Sequence, residues 1–471
     1  MKIKNFLLAT LALVVLSACN KGEILPGEEP QGEGYLVLTL NDPAFLRVHG
    51  TYPTRTSGNG TDFGTEQENK INSVTVVLAD EAGVISFVAN PSITNGRTEK
   101  IRVESGSHYV YAFVNSPITV SEGQNINQVF DMATAIDGFK SGSLFMTNER
   151  NSSLEQAGIL AVVTEENSIT NPARVVIYVD HVACKIFDET TTPVTTNLAT
   201  STGNFIDGVE VEGFSMLNVN KDFNLIQTWN TNNANGISLI SEVLSTPFSS
   251  TNLVADQYTN NIGSYTTLTK DGDGNITGIT DKTLEQSNVF KKEPIYIPEN
   301  RPTIFSFDAN AITAGRGEAT GVIYKVQAKS GGNNLGTFYK YKTILSESLT
   351  EIQNFPEFKD KTLSSLSNSE LRAAGVRVYE DGIIYYSHFI CDSNEAHQYD
   401  GNNYYAVFRN TVYKLKINSI SKLGYDVPGG AIVDPSQTGE AGNPYLDSEE
   451  AHMEVSVIIN PWIVNIVDIE F

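Results

Sequence analysis

Residues Met453 to Phe471 read MEVSVIINPWIVNIVDIEF, with no glycine and one proline. Successive side chains of a strand point to opposite faces, so Ile463, Val467, Ile469 and Phe471 share one face while Trp462, Val464 and Ile466 share the other. A strand apolar on both faces needs cover on both. At a chain end it must also be tied down, either as the last strand of its own sandwich or in a groove of another domain.

The rest of the chain has the composition of a strand protein. Its 471 residues exceed one ordinary domain, and about two or three are expected. Apolar residues make up 40%, enough for a substantial core; abundant Val, Ile, Tyr and Phe beside 37 glycines favour strands and turns, giving an all-β reading. The 55 acidic and 32 basic residues leave a charge of −23, which repels phosphate backbones and anionic headgroups and excludes nucleic acid as an expected partner.

At the other end, Lys2 and Lys4 precede an apolar run from Phe6 to Leu16, too short to span a bilayer, which closes on Leu16-Ser17-Ala18-Cys19. This is a secretory signal whose first residue after the cut is cysteine, the pattern of a bacterial lipobox in which Cys19 carries the lipid. Only Cys184 and Cys391 then remain. They either form one disulfide or stay unpaired as small apolar residues, and the strand-like surroundings of Cys184, VVIYVDHVACKIF, favour the second. Asn20 to Gly34 reads as a polar tether, Tyr35 to Leu40 (YLVLTL) as a strand with leucines on one face, and Asn41 to Asn69 as an exposed, cleavable loop holding Arg47 and Arg55.

Strands then recur at Ile71 to Leu78, Lys100 to Val103, His108 to Asn115, Gly158 to Val163 and Arg174 to Phe187, separated by turn residues such as Glu104-Ser105-Gly106. This spacing predicts a β-sandwich of about 130 residues. A second module begins near Cys184, with strands at Pro294 to Ile297, Thr303 to Phe307, Gly321 to Lys329, Thr337 to Ile344, Gly382 to Ile390 and Tyr404 to Ile417. Pro356 to Ala374 holds a short helix, and Val427 to Glu450 reads as a linker to the terminal strand.

Sites of chemistry are sparse. Asp271-Gly272-Asp273-Gly274-Asn275 begins like a calcium loop, but Ile276 and Lys282 stand where such a loop needs glycine and a bidentate glutamate, so it reads as a turn. His388, Cys391 and His397 lack a fourth ligand and a zinc spacing, and no orienting group makes them a nucleophilic pair. There is no phosphate loop, serine elbow or His-Glu-x-x-His. We therefore expect no enzyme activity, no metal and no cofactor.

Several short strings together carry a family likeness. They are the lipobox, the leucine strand followed by an arginine in a polar loop, Lys70 to Val76 (KINSVTV), Ser105-Gly106 with Val110 to Asn115 (VYAFVN), Tyr296-Ile297-Pro298-Glu299-Asn300, Arg409-Asn410 with Tyr413 and Ile417, and Pro461-Trp462 followed by Asp468 to Phe471. With these the chain resembles the fimbrillins of Bacteroidota, most of all the polymerising subunits of the short fimbriae, which are type V pili. The resemblance implies two tandem transthyretin-like β-sandwiches, export as a lipoprotein to the outer membrane, and a cell-surface fimbrium as destination. It further implies cleavage by an Arg-specific protease, loss of the first strand, and filling of the emptied groove by a neighbour's C-terminal strand. Carried onto this sequence, Arg55 takes the place of the cleaved arginine, with Arg47 as the second candidate. Leu36, Leu38 and Leu40 lie on the departing strand, and Ile463, Val464, Ile466, Val467, Ile469 and Phe471 form the donor strand. Thr56 stands where the family has a smaller residue, and the C-terminal linker is shorter and less acidic than the family's.

The implied organisation is a signal peptide at 1–18, a lipidated propeptide at 19–55, sandwiches at 56–184 and 185–426, and a linker with donor strand at 427–471. The implied function is a structural fimbrial subunit that supports adhesion. The alternative is a non-polymerising tip, anchor or accessory adhesin. Expected partners are identical or homologous subunits head to tail, a processing protease, host or bacterial surface ligands, and the outer membrane through the precursor's lipid. Burying six donor side chains yields about 9 to 18 kcal/mol gross, before association and ordering costs. Such a contact is heterologous and does not close, so it propagates as a filament. Cleavage at Arg55 removes five basic and five acidic residues, leaving the net charge unchanged.

Overall fold

The computed structural model describes residues 32–40, 62–116, 118–130, 139, 141–148, 158–191, 194–196, 198, 204–217, 219, 225, 268–270, 276–279, 290–300, 320–392, 407–427 and 453–463. Cys19, Arg47, Arg55, His397, Asp271 to Asn275, Thr303 to Phe307 and Val464 to Phe471 lie outside them.

In chain order the strands begin with β1 (Glu33–Leu40), β2 (Asp62–Phe63), β3 (Val74–Ala79), β4 (Ile85–Ala89), β5 (Ile93–Thr94), β6 (Arg97–Thr98), β7 (Ile101–Glu104) and β8 (Gly106–Val114). There follow β9 (Met146–Asn148), β10 (Ile159–Val163), β11 (Ala173–Ile177) and β12 (Val179–His181). All but β2 build the first sandwich. One sheet runs β11-β1-β6-β5 with β7 also on β1, and the other runs β12-β9-β8-β3-β4 with β10 on β8. Alternation puts Leu36, Leu38, Leu40, Val103 and Ile177 of the first sheet against Val76, Leu78, Val110 and Ala112 of the second, all buried. The β5–β6 hairpin turns on Asn95-Gly96, both at positive φ (48° and 72°), the twist-matched two-residue turn for which Asn-Gly is suited.

The second sandwich contains β13 (Cys184–Asp188), β14 (Val194–Thr195), β15 (Gly208–Leu217), β18 (Ile295–Ile297), β19 (Gly321–Ser330), β20 (Asn333–Asn334), β24 (Ile383–Phe389), β25 (Thr411–Ile420) and β26 (Met453–Ile463). Its sheets run β18-β13-β25-β26-β2 and β14-β15-β19-β20, with β24 on β19. Between them lies a core that includes Ile186, Phe214, Tyr324, Tyr386, Tyr413 and Leu415. The chain between β15 and β18 carries a small hairpin, β16 (Leu268–Lys270) and β17 (Ile276–Ile279), on either side of the Asp271 string. A satellite sheet of β21 (Phe338–Tyr341), β22 (Ile344–Ser346) and β23 (Arg377–Tyr379) packs with three helical turns and with two helices, Leu349–Gln353 and Asn368–Ala373. The latter is the helix expected in 356–374, and a reciprocal capping box of Ser367 and Glu370 starts it. The all-β expectation holds, in two sandwiches.

Three segments depart from the linear reading. The run from Arg174 to Phe187 is three strands, because β11 pairs in one sheet, β12 in the other and β13 in the second sandwich. Asp62–Phe63, within the span 56–184, is an edge strand of the second sandwich, paired parallel to Trp462 and Ile463 and held by an Asp62–Lys414 ion pair at 2.8 Å. Met453–Ile463, within the span read as linker and donor, pairs antiparallel with β25 from Thr411↔Pro461 to Ile420↔Met453. Met453 is buried, and Val455 and Val457 pack on the second core, so this half of the terminal stretch belongs to its own sandwich.

Candidate functional site

The seat of the first strand is built on both its edges. β1 pairs parallel with β11 from Leu36↔Ala173 to Leu40↔Ile177, and antiparallel with β7 and β6 through Tyr35↔Arg102, Leu36↔Ile101 and Thr39↔Arg97. Leu36 and Leu38 are fully buried and Leu40 is 1% exposed. Outside the ladders, the Leu40 N–H donates to the Gly96 carbonyl at 2.8 Å, the Tyr35 N–H to Asn167 at 2.7 Å, and the buried Leu38 N–H to Thr98 Oγ1 at 3.0 Å. A Cβ at Gly34 would lie 2.5 Å from the Thr164 carbonyl oxygen, so a side chain at this place in the seat requires the 163–164 backbone to shift. Withdrawal of β1 would strip three buried leucines from the core and leave β11 and β7 with open edges.

The sandwiches meet beside the start of the second one. Outward residues Val77, Tyr111 and Phe113 of the first sandwich cluster with Val182, Ala183 and Val412, which is why β3 is buried on both faces. Glu68, 2% exposed, reaches across this joint: Lys185 Nζ lies 2.7 Å from its carboxylate and the Tyr296 hydroxyl donates to it at 2.6 Å. Burial pushes the Glu68 carboxyl up, but the bonds from Lys185, Tyr296 and the Thr65 N–H outweigh it and hold the group below its ordinary value. Nearby, Arg409 grips the fully buried Glu299 with two nitrogens at 2.6 and 3.0 Å and donates to the Leu225 carbonyl at 2.9 Å. Asn300 and Val407 exchange backbone bonds alongside. The strings around Tyr296 and Arg409, quoted above for a likeness, are thus one cluster in space. Their roles were not readable from sequence, nor was that of Glu68, since the only signal was a charge beside an apolar run.

His181 completes the joint, fully buried with Nε2 3.2 Å from the Glu68 carbonyl oxygen, and burial lowers its pKa to about 4. The folded value lies below the unfolded one, so the unfolded chain binds the extra proton. Stability is full above pH 6.5 and is lost as the pH falls towards 4, by up to about 3 kcal/mol from this histidine. We expect His181→Gln to flatten the decline in melting temperature over that window relative to the native chain. An unchanged slope would show that His181 does not set it.

The donor residues divide. Ile463 is the last residue of β26, its backbone paired with Phe63, while Val464, Ile466, Val467, Ile469 and Phe471 lie outside the described residues. Neither Cys184 nor Cys391 is in a disulfide, as the reading without a bridge expected, and Cys184 is buried with its thiol pushed up by burial. His388 lies on β24, and no three His, Cys, Asp or Glu side chains gather into a metal-holding group among the described residues.

Residues 377–468 match the family "Major fimbrial subunit protein type IV, Fimbrillin, C-terminal". No curated protein sequence matches the chain. Among solved structures, a fimbrilin of Porphyromonas gingivalis W83 aligns at 13% identity over 91% of this chain and 98% of its own, with a TM-score of 0.42. The tip fimbrial protein Mfa3 of Porphyromonas gingivalis, with a C-terminal truncation, aligns at 10% identity over 92% and 100%, with a TM-score of 0.37. The family match spans β23 to β26, with Arg409 in the turn before β25, Tyr413 on β25 and the first part of the terminal stretch on β26, and through it the chain resembles the fimbrillins.

Proposed function

We propose that this protein is a structural subunit of a cell-surface fimbrium of the type V kind, assembled by protease-triggered strand exchange. The precursor is anchored to the outer membrane through Cys19, cut after Arg55 or else Arg47, and freed of β1. The segment Val464–Phe471 of a neighbour then enters the vacated seat. One observation carries this reading: β1 is an interior strand of its sheet with three leucines buried, yet in the chain it is joined to the rest of its sandwich only through residues 41–61, where both arginines stand. A single cut there makes an essential strand removable. The pairing of β26 with β25 and β2 supports a donor whose root stays in its own sandwich and whose exchanging part follows Ile463.

The test is N-terminal sequencing of protein taken from cells. A start at Thr56 supports the subunit. A blocked Cys19 with β1 retained supports the tip, anchor or accessory adhesin instead. Cys19→Ala is expected to abolish surface display, since the precursor loses its acyl anchor. Normal display of that variant, measured by antibody labelling of intact cells, would remove the lipoprotein step.

A further inference from the structure

The outward face of β1 is framed by cations in a strongly acidic chain. Arg174 on β11 lies beside Val37, and Arg97 on β6 lies beside Thr39, so the two arginines flank β1 on the same face. With Lys100, Val37, Pro172 and Glu99 they line a cavity of about 490 Å³. Arg97, Lys100 and Arg174 are exposed and make no ion pair among the described residues. The Glu99 carboxylate accepts from the Ser92 N–H at 3.1 Å. Neither Val37 nor Thr39 offers these cations a counter-charge.

The residues after β26 supply one. Laid in the direction of β1 with Val467 on Leu36, Ile469 and Phe471 fall on Leu38 and Leu40, Asp468 and Glu470 fall on Val37 and Thr39, and Asn465 falls on Gly34, where the 163–164 backbone must shift to admit it. Entry in the reverse direction keeps the pairing in a different register, with Val467, Ile469 and Phe471 on Leu40, Leu38 and Leu36, and Asp468 and Glu470 on Thr39 and Val37. Resting on the strand-exchange reading above, we infer that Arg97 and Arg174 are the specificity-determining residues of the acceptor seat, and that they select Asp468 and Glu470 of a second copy of this chain. The precursor strand, neutral at those positions, occupies the seat without satisfying the arginines. The donor strand does satisfy them, so charge favours the exchange and fixes its register, a shift by one residue putting carboxylates into the core.

The test uses the full chain with a sequence-specific protease site placed in the 41–61 loop, and follows filament growth by light scattering after cleavage. Arg97→Glu/Arg174→Glu is expected to slow growth at least about tenfold through like-charge contact, with the precursor's melting temperature unchanged because both positions are exposed. Adding Asp468→Lys/Glu470→Lys to the same chain should restore growth to near the native rate. Arg97→Gln/Arg174→Gln should give an intermediate rate with weaker salt dependence. Native and charge-reversed subunits that grow equally would overturn the charge pairing and leave strand exchange standing. Slowing that the second pair of reversals does not rescue would also overturn it, and would assign the arginines to another anion such as an acidic glycan. Native subunits that fail to grow after cleavage would overturn strand exchange and this inference together.

Discussion

Ending the chain after Ile463 is expected to abolish head-to-tail assembly while leaving the melting temperature within about 1–2 °C of the native value, because no contact of the described core is lost. β26 is retained, with its full ladder to β25 and the parallel pairing to β2. The acceptor seat is also intact, so the shortened subunit still caps a growing filament. Ending the chain after residue 452 is the contrasting case. It removes β26, uncovers the edge of β25, and exposes the core against which Met453, Val455 and Val457 pack. With about 1.5–3 kcal/mol for each well-buried apolar side chain, the loss is on the order of 5 kcal/mol, enough to unfold the second sandwich in many domains of this size. Thermal unfolding and sedimentation of the two truncations separate the halves of the terminal stretch. A subunit ending at Ile463 that still chains after cleavage would place the donor elsewhere.

Arg409→Met is expected to destabilise the second sandwich by about 3–5 kcal/mol, the usual cost of leaving a buried charge without its partner. Glu299 is fully buried, and the two Arg409 nitrogens at 2.6 and 3.0 Å are its ionic partner. At about 2–4 °C per kcal/mol for a domain of this length, the midpoint falls by roughly 6–20 °C. The paired variant Arg409→Met/Glu299→Leu should recover most of the loss, since the desolvated carboxylate is gone. Calorimetry on the three proteins measures both numbers. A single variant that melts within a degree of the native chain would show that water or another cation already satisfies Glu299. Because Glu299 and Arg409 sit where the sandwiches meet, the single variant should also loosen the joint, read as faster proteolysis between 183 and 190.

What rests on local periodicity and local chemistry is legible in one dimension. Leucines two apart in YLVLTL have one face, and the structure buries Leu36, Leu38 and Leu40 on it. A short helix within 356–374 is legible too, and the all-β class follows from composition. Tertiary structure decided which edges meet. An apolar run such as 174–187 has the same alternation whether it stays in one sheet or crosses three, and only the partners Leu36, Asn148 and Val412 show where it crosses. The pairing of β1 with β11 joins residues far apart in sequence, as does the seating of Asp62–Phe63 on β26. Backbone hydrogen bonds carry no side-chain signature, so such pairings cannot be read from either strand alone. The same holds for Glu68 and for Arg409 with Glu299, whose charges look solvated in one dimension and are buried in three. It holds for the terminal stretch too: only the ladder to β25 and the pairing to β2 show that Met453–Ile463 belongs to the second sandwich.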